Sequence, residues 1–241
     1  NGGTPTQYSN GTTVTVSEPA GIYIITGTSL ANNNLSDSAQ LTVIKVEITP
    51  DSHTTECADT SDVTFSLTAD SYAPGGVTWE IEPSVTNGAT ISDGTVRVGC
   101  VGGSYTIKAT SQDNTNCSDT ASLELNFGED ITDFDACGNR KPRPCWVPED
   151  HTNGCSGPIP RFFTPDCNDH DECYGTCNSD KADCDAKLRD AMIARCRVRY
   201  PAGRYRRLCI RLANATWRVL QRGIAQRRWE NAQIEACVCC D

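Results

Sequence analysis

Between Cys167 and Cys177 the chain crowds three cysteines, three carboxylates and His170, one of only three histidines, into eleven residues. On a helix, Cys167, His170 and Cys173 step by three and Tyr174 lies four beyond His170, so these side chains share one broad face. Asp171 is turned about 100° from His170 and points to one side of the same site. A neutral imidazole suits proton abstraction from water near neutral pH. A carboxylate beside loop carbonyls suits calcium, a hard cation, rather than zinc. Two plainer readings stand beside this one: a structural zinc knot of Cys167, His170, Cys173 and Cys177, or a surface histidine.

The elements that must hold these groups read as helices. Pro165 lies near the start of a helix that carries 167–177. Residues 179–196 form a second, with Asp180 near its N-terminus and Ala182, Asp185, Leu188, Met192 and Cys196 recurring at three- and four-residue steps. That spacing turns Asp185 inward with Leu188 and Met192, where a carboxylate is costly unless it has a partner. A third helix over 204–222 is expected to bury Tyr205, Leu208, Cys209, Leu212, Val219 and Leu220, with Arg204, Arg207, Arg211, Arg218 and Arg222 on its polar side. A short fourth helix carries Trp229 and Ile234 into the run "CVCC". Upstream, 137–156 reads as irregular loop, rich in Pro, Gly and Asn.

With these elements in order, the C-terminal part resembles the secreted phospholipase A2 superfamily, nearer its bacterial and other divergent branches. "CNDHDECY" matches the C-x-x-H-D-x-C-Y active-site helix of that family, and Cys184–Asp185 its second-helix Cys-Asp pair. "NGC" at 153–155 is similar to its calcium loop, and the resemblance runs from roughly Asp135 onward. It implies that His170 is the general base, that Asp185 orients it and stabilises the imidazolium, and that Tyr174 hydrogen-bonds toward Asp185. It also implies Asp171 as the side-chain ligand of a calcium ion, with carbonyls near Gly154 and Ser156 and the Asn153 side chain completing much of the shell. The ion would polarise the ester carbonyl and offset the developing oxyanion. By the same resemblance Cys155 bridges Cys167 and Cys173 bridges Cys184, with Cys177 a competing partner for Cys184. Two features depart from the family: the loop "NGCSGPIPRFF" is shorter and bears prolines, and Asp166 replaces the first of two paired cysteines. The implied activity is calcium-dependent hydrolysis of the sn-2 ester of glycerophospholipids at a membrane surface.

Composition supplies the setting. Fifteen cysteines against three histidines favour disulfides over metal sites, and hence an oxidising compartment: a secreted or cell-surface protein. No apolar run approaches the roughly 20 residues that span a bilayer, and "NGGTPTQYSN" has no signal-peptide pattern, so a processed chain or a fragment is expected. Residues 1–133 carry three basic and 17 acidic side chains, a net −14, whereas 134–241 carry 18 and 14, a net +4. The first part is an acidic, soluble body; the second is a basic module suited to anionic surfaces. No nucleic-acid partner is expected.

The N-terminal half repeats itself: 11–43 matches 94–125 at a constant offset of 82 residues over most of its length, with Gly21/Gly103, Tyr23/Tyr105, Ile25/Ile107, Asp37/Asp119 and Leu41/Leu123 identical. Alternation of apolar and polar residues in "VTWEIEP", "SYTIKAT" and "ASLELNF" is the pattern of short antiparallel strands. It resembles the bacterial immunoglobulin-like modules of cell-surface proteins. The expected layout is half of such a sandwich over 1–44, a complete one over 45–127, a linker over 128–136 and an all-helical, disulfide-rich module over 137–241. Cys57 and Cys100 are expected to bridge within the sandwich, leaving Cys117 unpaired. A half sandwich exposes sheet edges and a core face, which raises a rival to the hydrolase: an adhesive or filament protein that assembles by strand donation, with a non-catalytic helical module.

Overall fold

The computed structural model describes residues 19–155 and 159–240. The expectations for 1–18 and for Ser156 lie outside them. The chain runs from a β-rich N-terminal part to a helical C-terminal part.

Strands β1 (Gly21–Thr28) and β2 (Ser36–Val43) form a hairpin. Short strands β3 (Ile48–Thr49), β4 (Ser52–Thr54), β5 (Val63–Thr64) and β6 (Ser66–Leu67) follow. Then come β7 (Val77–Glu82), β8 (Thr90–Ser92), β9 (Thr95–Arg97), β10 (Gly103–Ser111) and β11 (Ser118–Leu125). One sheet runs β4-β11-β10-β7; β3-β6 and β5-β9-β8 make two smaller ones. Period-two alternation turns Tyr105, Ile107 and Ala109 of β10 and Ala121, Leu123 and Leu125 of β11 inward, where they share a core with Val46, Ile48, Val63, Phe65 and Val96. The 82-residue repeat is visible as geometry: Tyr23 faces Leu41 and Ile25 faces Ala39 across the first hairpin, as Tyr105 faces Leu123 and Ile107 faces Ala121 across the second.

The helical part holds α1 (Thr164–Tyr174), α2 (Lys181–Arg199), α3 (Arg204–Leu220) and α4 (Gly223–Ala236). Pro165 sits in the first turn of α1. The Asp180 carboxylate caps α2 by accepting from Asp183 N at 2.8 Å. Phe163, Cys167, Leu188, Met192, Cys196, Cys209 and Ala213 form the core between α1, α2 and α3. Among the described residues seven disulfides form and Cys117 stays free. Such a set forms in an oxidising compartment and is compatible with secretion. No described helix is long and apolar enough to cross a membrane.

Four expectations need correction. Cys57 and Cys100 do not bridge each other: Cys57 pairs with Cys240 and Cys100 with Cys145. Both lie on loops flanking the N-terminal β-strands, and both bonds cross to the C-terminal part, stapling the two halves together. Second, 128–136 is not a free linker. Its β12 (Glu129–Asp130) pairs with β14 (Cys237–Cys239), which also pairs with β13 (Arg140–Pro142), and Ile131 is buried beside Cys137 and Cys237. Third, α1 ends at Tyr174 rather than at Cys177, which lies beyond it and pairs with Cys237, while Cys173 bridges Cys184 as the resemblance implied. Finally, Tyr205, Leu208 and Val219 of α3 are exposed. The Cys196–Cys209 bridge turns Cys209 and Ala213 toward α2, and Leu208 and Val219 fall outside that buried arc, whereas Tyr205, on the face of Cys209, lies in the first turn of α3, ahead of its buried residues.

Candidate active site

Helix α1 presents His170 and Tyr174 one turn apart, and α2 presents Asp185 across from them. His170 Nε2 lies 2.9 Å from Asp185 Oδ1, and the Tyr174 hydroxyl donates to the same oxygen at 2.7 Å. The Asp185 side chain is fully buried. The Cys173–Cys184 disulfide sits next to both partners, joining the residue before Tyr174 to the residue before Asp185. It fixes which faces of α1 and α2 meet.

Two residues that the sequence reading missed complete the carboxylate's shell. Lys181 Nζ reaches Asp185 Oδ2 at 2.7 Å and the Leu220 carbonyl at 2.8 Å. Gln221 Nε2 donates to Oδ2 at 3.2 Å. Lys181 stands four residues before Asp185 on α2, so an i,i+4 pair was there to be seen. Gln221 comes from the end of α3, and nothing local announces it. Burial alone would push the Asp185 carboxyl up, but hydrogen bonds from His170, Lys181 and Tyr174 outweigh it and hold the group below its ordinary value. The Tyr174 hydroxyl is driven well above the usual phenol range by burial and by its bond to Asp185. It stays a donor.

This arrangement assigns the two ring nitrogens of His170. Nε2 is engaged with Asp185, an acceptor-only carboxylate, so Nε2 carries hydrogen and Nδ1 keeps its lone pair. Nδ1 has no protein partner among the described residues, and no buried side-chain nitrogen or oxygen lacks one, so Nδ1 reaches solvent. An imidazole so held can take a proton at Nδ1 while Asp185 stabilises the charge at Nε2.

Around this triad the helix ends are pinned. Gln233 of α4, fully buried, donates from Nε2 to the carbonyls of Tyr174 at 2.7 Å and Thr176 at 2.8 Å, and accepts from Asn178 N at 2.7 Å. Trp146 Nε1 donates to Gly175 O at 2.7 Å while its ring stacks on His151. Asp166, buried on α1, receives Arg195 of α2 at 2.6 and 2.9 Å. This fork supplies a polar tie between the two helices.

Asp171 lies half-buried beside the loop at Asn153 and Gly154. Its Oδ2 accepts from Asn153 N at 3.1 Å. Burial pushes its carboxyl up, and the N–H groups of Asn153 and Gly154 together with nearby His170 only partly offset that. Cys155 is bridged to Cys167, which ties the loop to α1. Asp171 and the loop are therefore adjacent, and the loop turns N–H donors toward the carboxylate, where a cation would need oxygens. No cluster of three or more His, Cys, Asp or Glu that could hold a metal occurs among the described residues. Cys167, Cys173 and Cys177 are all in disulfides, so they and His170 do not form a zinc knot.

No family model matches the chain, and no curated protein matches it.

Proposed function

We propose that the helical part is a secreted phospholipase A2-like hydrolase, carried by one observation: an imidazole bonded through Nε2 to a fully buried carboxylate, with Nδ1 free to solvent. His170 Nδ1 takes a proton from water as the water oxygen attacks the sn-2 ester carbonyl of a glycerophospholipid. Asp185 holds the ring and balances the imidazolium. Collapse of the tetrahedral intermediate breaks the acyl C–O bond, the proton passes from His170 to the leaving alkoxide, and a fatty acid and a lysophospholipid depart. Bound calcium would supply Lewis-acid polarisation of the ester in this class of reaction. Asp171 would be the side-chain ligand there, beside a loop whose Asn153 N–H bonds its Oδ2.

The charge distribution supports a phospholipid surface as partner. From Ala191 to Trp229 there are eleven arginines and no lysine, aspartate or glutamate. Val198, Tyr205, Leu208, Val219 and Ile224 stand exposed among them. Arginine interleaved with exposed apolar side chains suits an anionic headgroup layer. The β-strand repeats, read as immunoglobulin-like sandwiches, act as spacer or adhesion modules stapled to the hydrolase.

The deciding assay is fatty acid and lysophospholipid release from mixed phospholipid vesicles, with and without calcium, by the intact protein and by His170→Gln. Release that disappears in the variant supports the reading. No release under any condition sinks it. A second reading, a surface or filament protein with a non-catalytic helical module, is favoured by the exposed core-type face of the first hairpin, and a stable monomer by light scattering argues against it.

A further inference from the structure

The interface that the β1–β2 hairpin lacks is built once already in this chain. The tyrosine bond, the turn bonds and the register of the β10–β11 hairpin have their counterparts 82 residues earlier. The Tyr105 hydroxyl donates to Val101 O, as the Tyr23 hydroxyl does to Pro19 O. Ser111 N reaches Cys117 O at 2.9 Å, as Ser29 N reaches Leu35 O at 2.8 Å. Asn116 N reaches Asn114 Oδ1 at 3.1 Å, as Asn34 N reaches Asn32 Oδ1 at 3.1 Å. The cross-strand registers coincide pair for pair. The two hairpins are one structure made twice.

What differs is what covers them. Ile107 has no exposed surface because residues 46–98 close over the second hairpin, whereas Ile25 at the same position of the first is 38% exposed. Leu35, at the position of half-buried Cys117, is 62% exposed. Asp119 accepts Ile48 N of the covering segment at 2.7 Å; Asp37, its counterpart, accepts only the N–H of neighbouring Ser38 among the described residues. The hairpin thus keeps both the apolar face and the carboxylate acceptor that a covering strand uses.

We propose that the β1–β2 hairpin is a docking face for a β-strand segment patterned like residues 46–82, which closes over Tyr23, Ile25, Leu41 and Val43 and donates a backbone N–H to Asp37. This rests on the β-strand repeat alone and does not depend on hydrolysis. Isolated two-stranded hairpins are marginal in water. Burying the inward face against a second layer is what gives β10 and β11 their stability.

The repeat offset dictates the test: residue 82 immediately precedes the counterpart of residue 1. A second copy of residues 46–82 is fused ahead of residue 1 of the full chain, and amide exchange over 21–43 is compared with the unaltered protein. In a parallel arm the unaltered chain receives a labelled peptide of residues 46–82. The expected result is slowing of exchange at Tyr23, Ile25 and Leu41 by on the order of tenfold or more, lost again with Ile25→Asp, or saturable peptide binding sensitive to the same substitution. Exchange that is unchanged in the fusion, together with no peptide binding, overturns the proposal. So does protection of the hairpin in the unaltered chain through self-association, which would make a second copy its partner. Lipid hydrolysis is not read in either arm, so the two proposals fail separately.

Discussion

His170 Nε2 and Asp185 Oδ1 lie 2.9 Å apart, on two helices joined by a disulfide one residue away from Asp185. Everything else at the site serves that pair: Tyr174, Lys181 and Gln221 use the remaining lone pairs of the carboxylate. A buried carboxylate with four donors cannot rotate away from the ring it orients.

Asp185→Asn is expected to lower turnover by about 10²–10⁴-fold. An amide can offer hydrogen as well as accept it, so the His170 tautomer is no longer fixed. The check is a kinetic split: kcat falls while KM for vesicle lipid stays within a few-fold.

Lys181→Met should cost stability rather than chemistry alone. Lys181 is 14% exposed and Asp185 0%, so removing the amine leaves a buried carboxylate short of one charge partner. Breaking such pairs costs about 3–5 kcal/mol. His170, Tyr174 and Gln221 still hold Asp185, so a loss near about 3 kcal/mol is expected in urea unfolding. A loss under about 1 kcal/mol would show that the ion pair is screened as a surface pair is.

Acid should unfold the helical part through Asp185. Its folded-state value is depressed below the ordinary 3.8. The stabilisation is therefore complete above the unfolded value and is lost as pH falls through the lower folded one. Helical circular dichroism should hold at pH 5 and decline below about pH 4. In Lys181→Met, where one lowering partner is gone, the decline should begin at higher pH.

Calcium binding, read by calorimetric titration, should depend on Asp171. Asp171→Asn removes the carboxylate that bonds the loop at Asn153 and is expected to weaken binding by at least about tenfold. If the intact protein takes up no calcium yet releases fatty acid, the calcium requirement falls and the His170 chemistry stands.

The two halves should unfold as one unit. Cys57–Cys240 and Cys100–Cys145 join them at sequence separations of 183 and 45. Replacing all four cysteines with serine removes cross-links worth about 3–5 kcal/mol each in the chain-entropy account. Scanning calorimetry should then resolve two transitions in place of one.

How much of this was legible in the sequence depended on how local the cause was. Spacings of three and four put His170 and Tyr174 on one face of α1 and turned Asp185 inward on α2, because helical periodicity is fixed by the backbone. The constant 82-residue offset carried the hairpin register, because a strand's inward face follows period two. Only the tertiary structure decided the remainder. Which loop cysteines meet is a question of distance in space, so Cys57 and Cys100 found partners across the molecule rather than each other. The rotation of α3 about its axis, set by Cys196–Cys209, exposed residues whose hydrophobicity had suggested a core. Gln221 and Gln233 reach the site only because α3 and α4 end beside it. The sequence by itself determined the helix and strand faces, which local geometry sets. Packing decided their neighbours, because contacts between distant segments depend on how the faces come together.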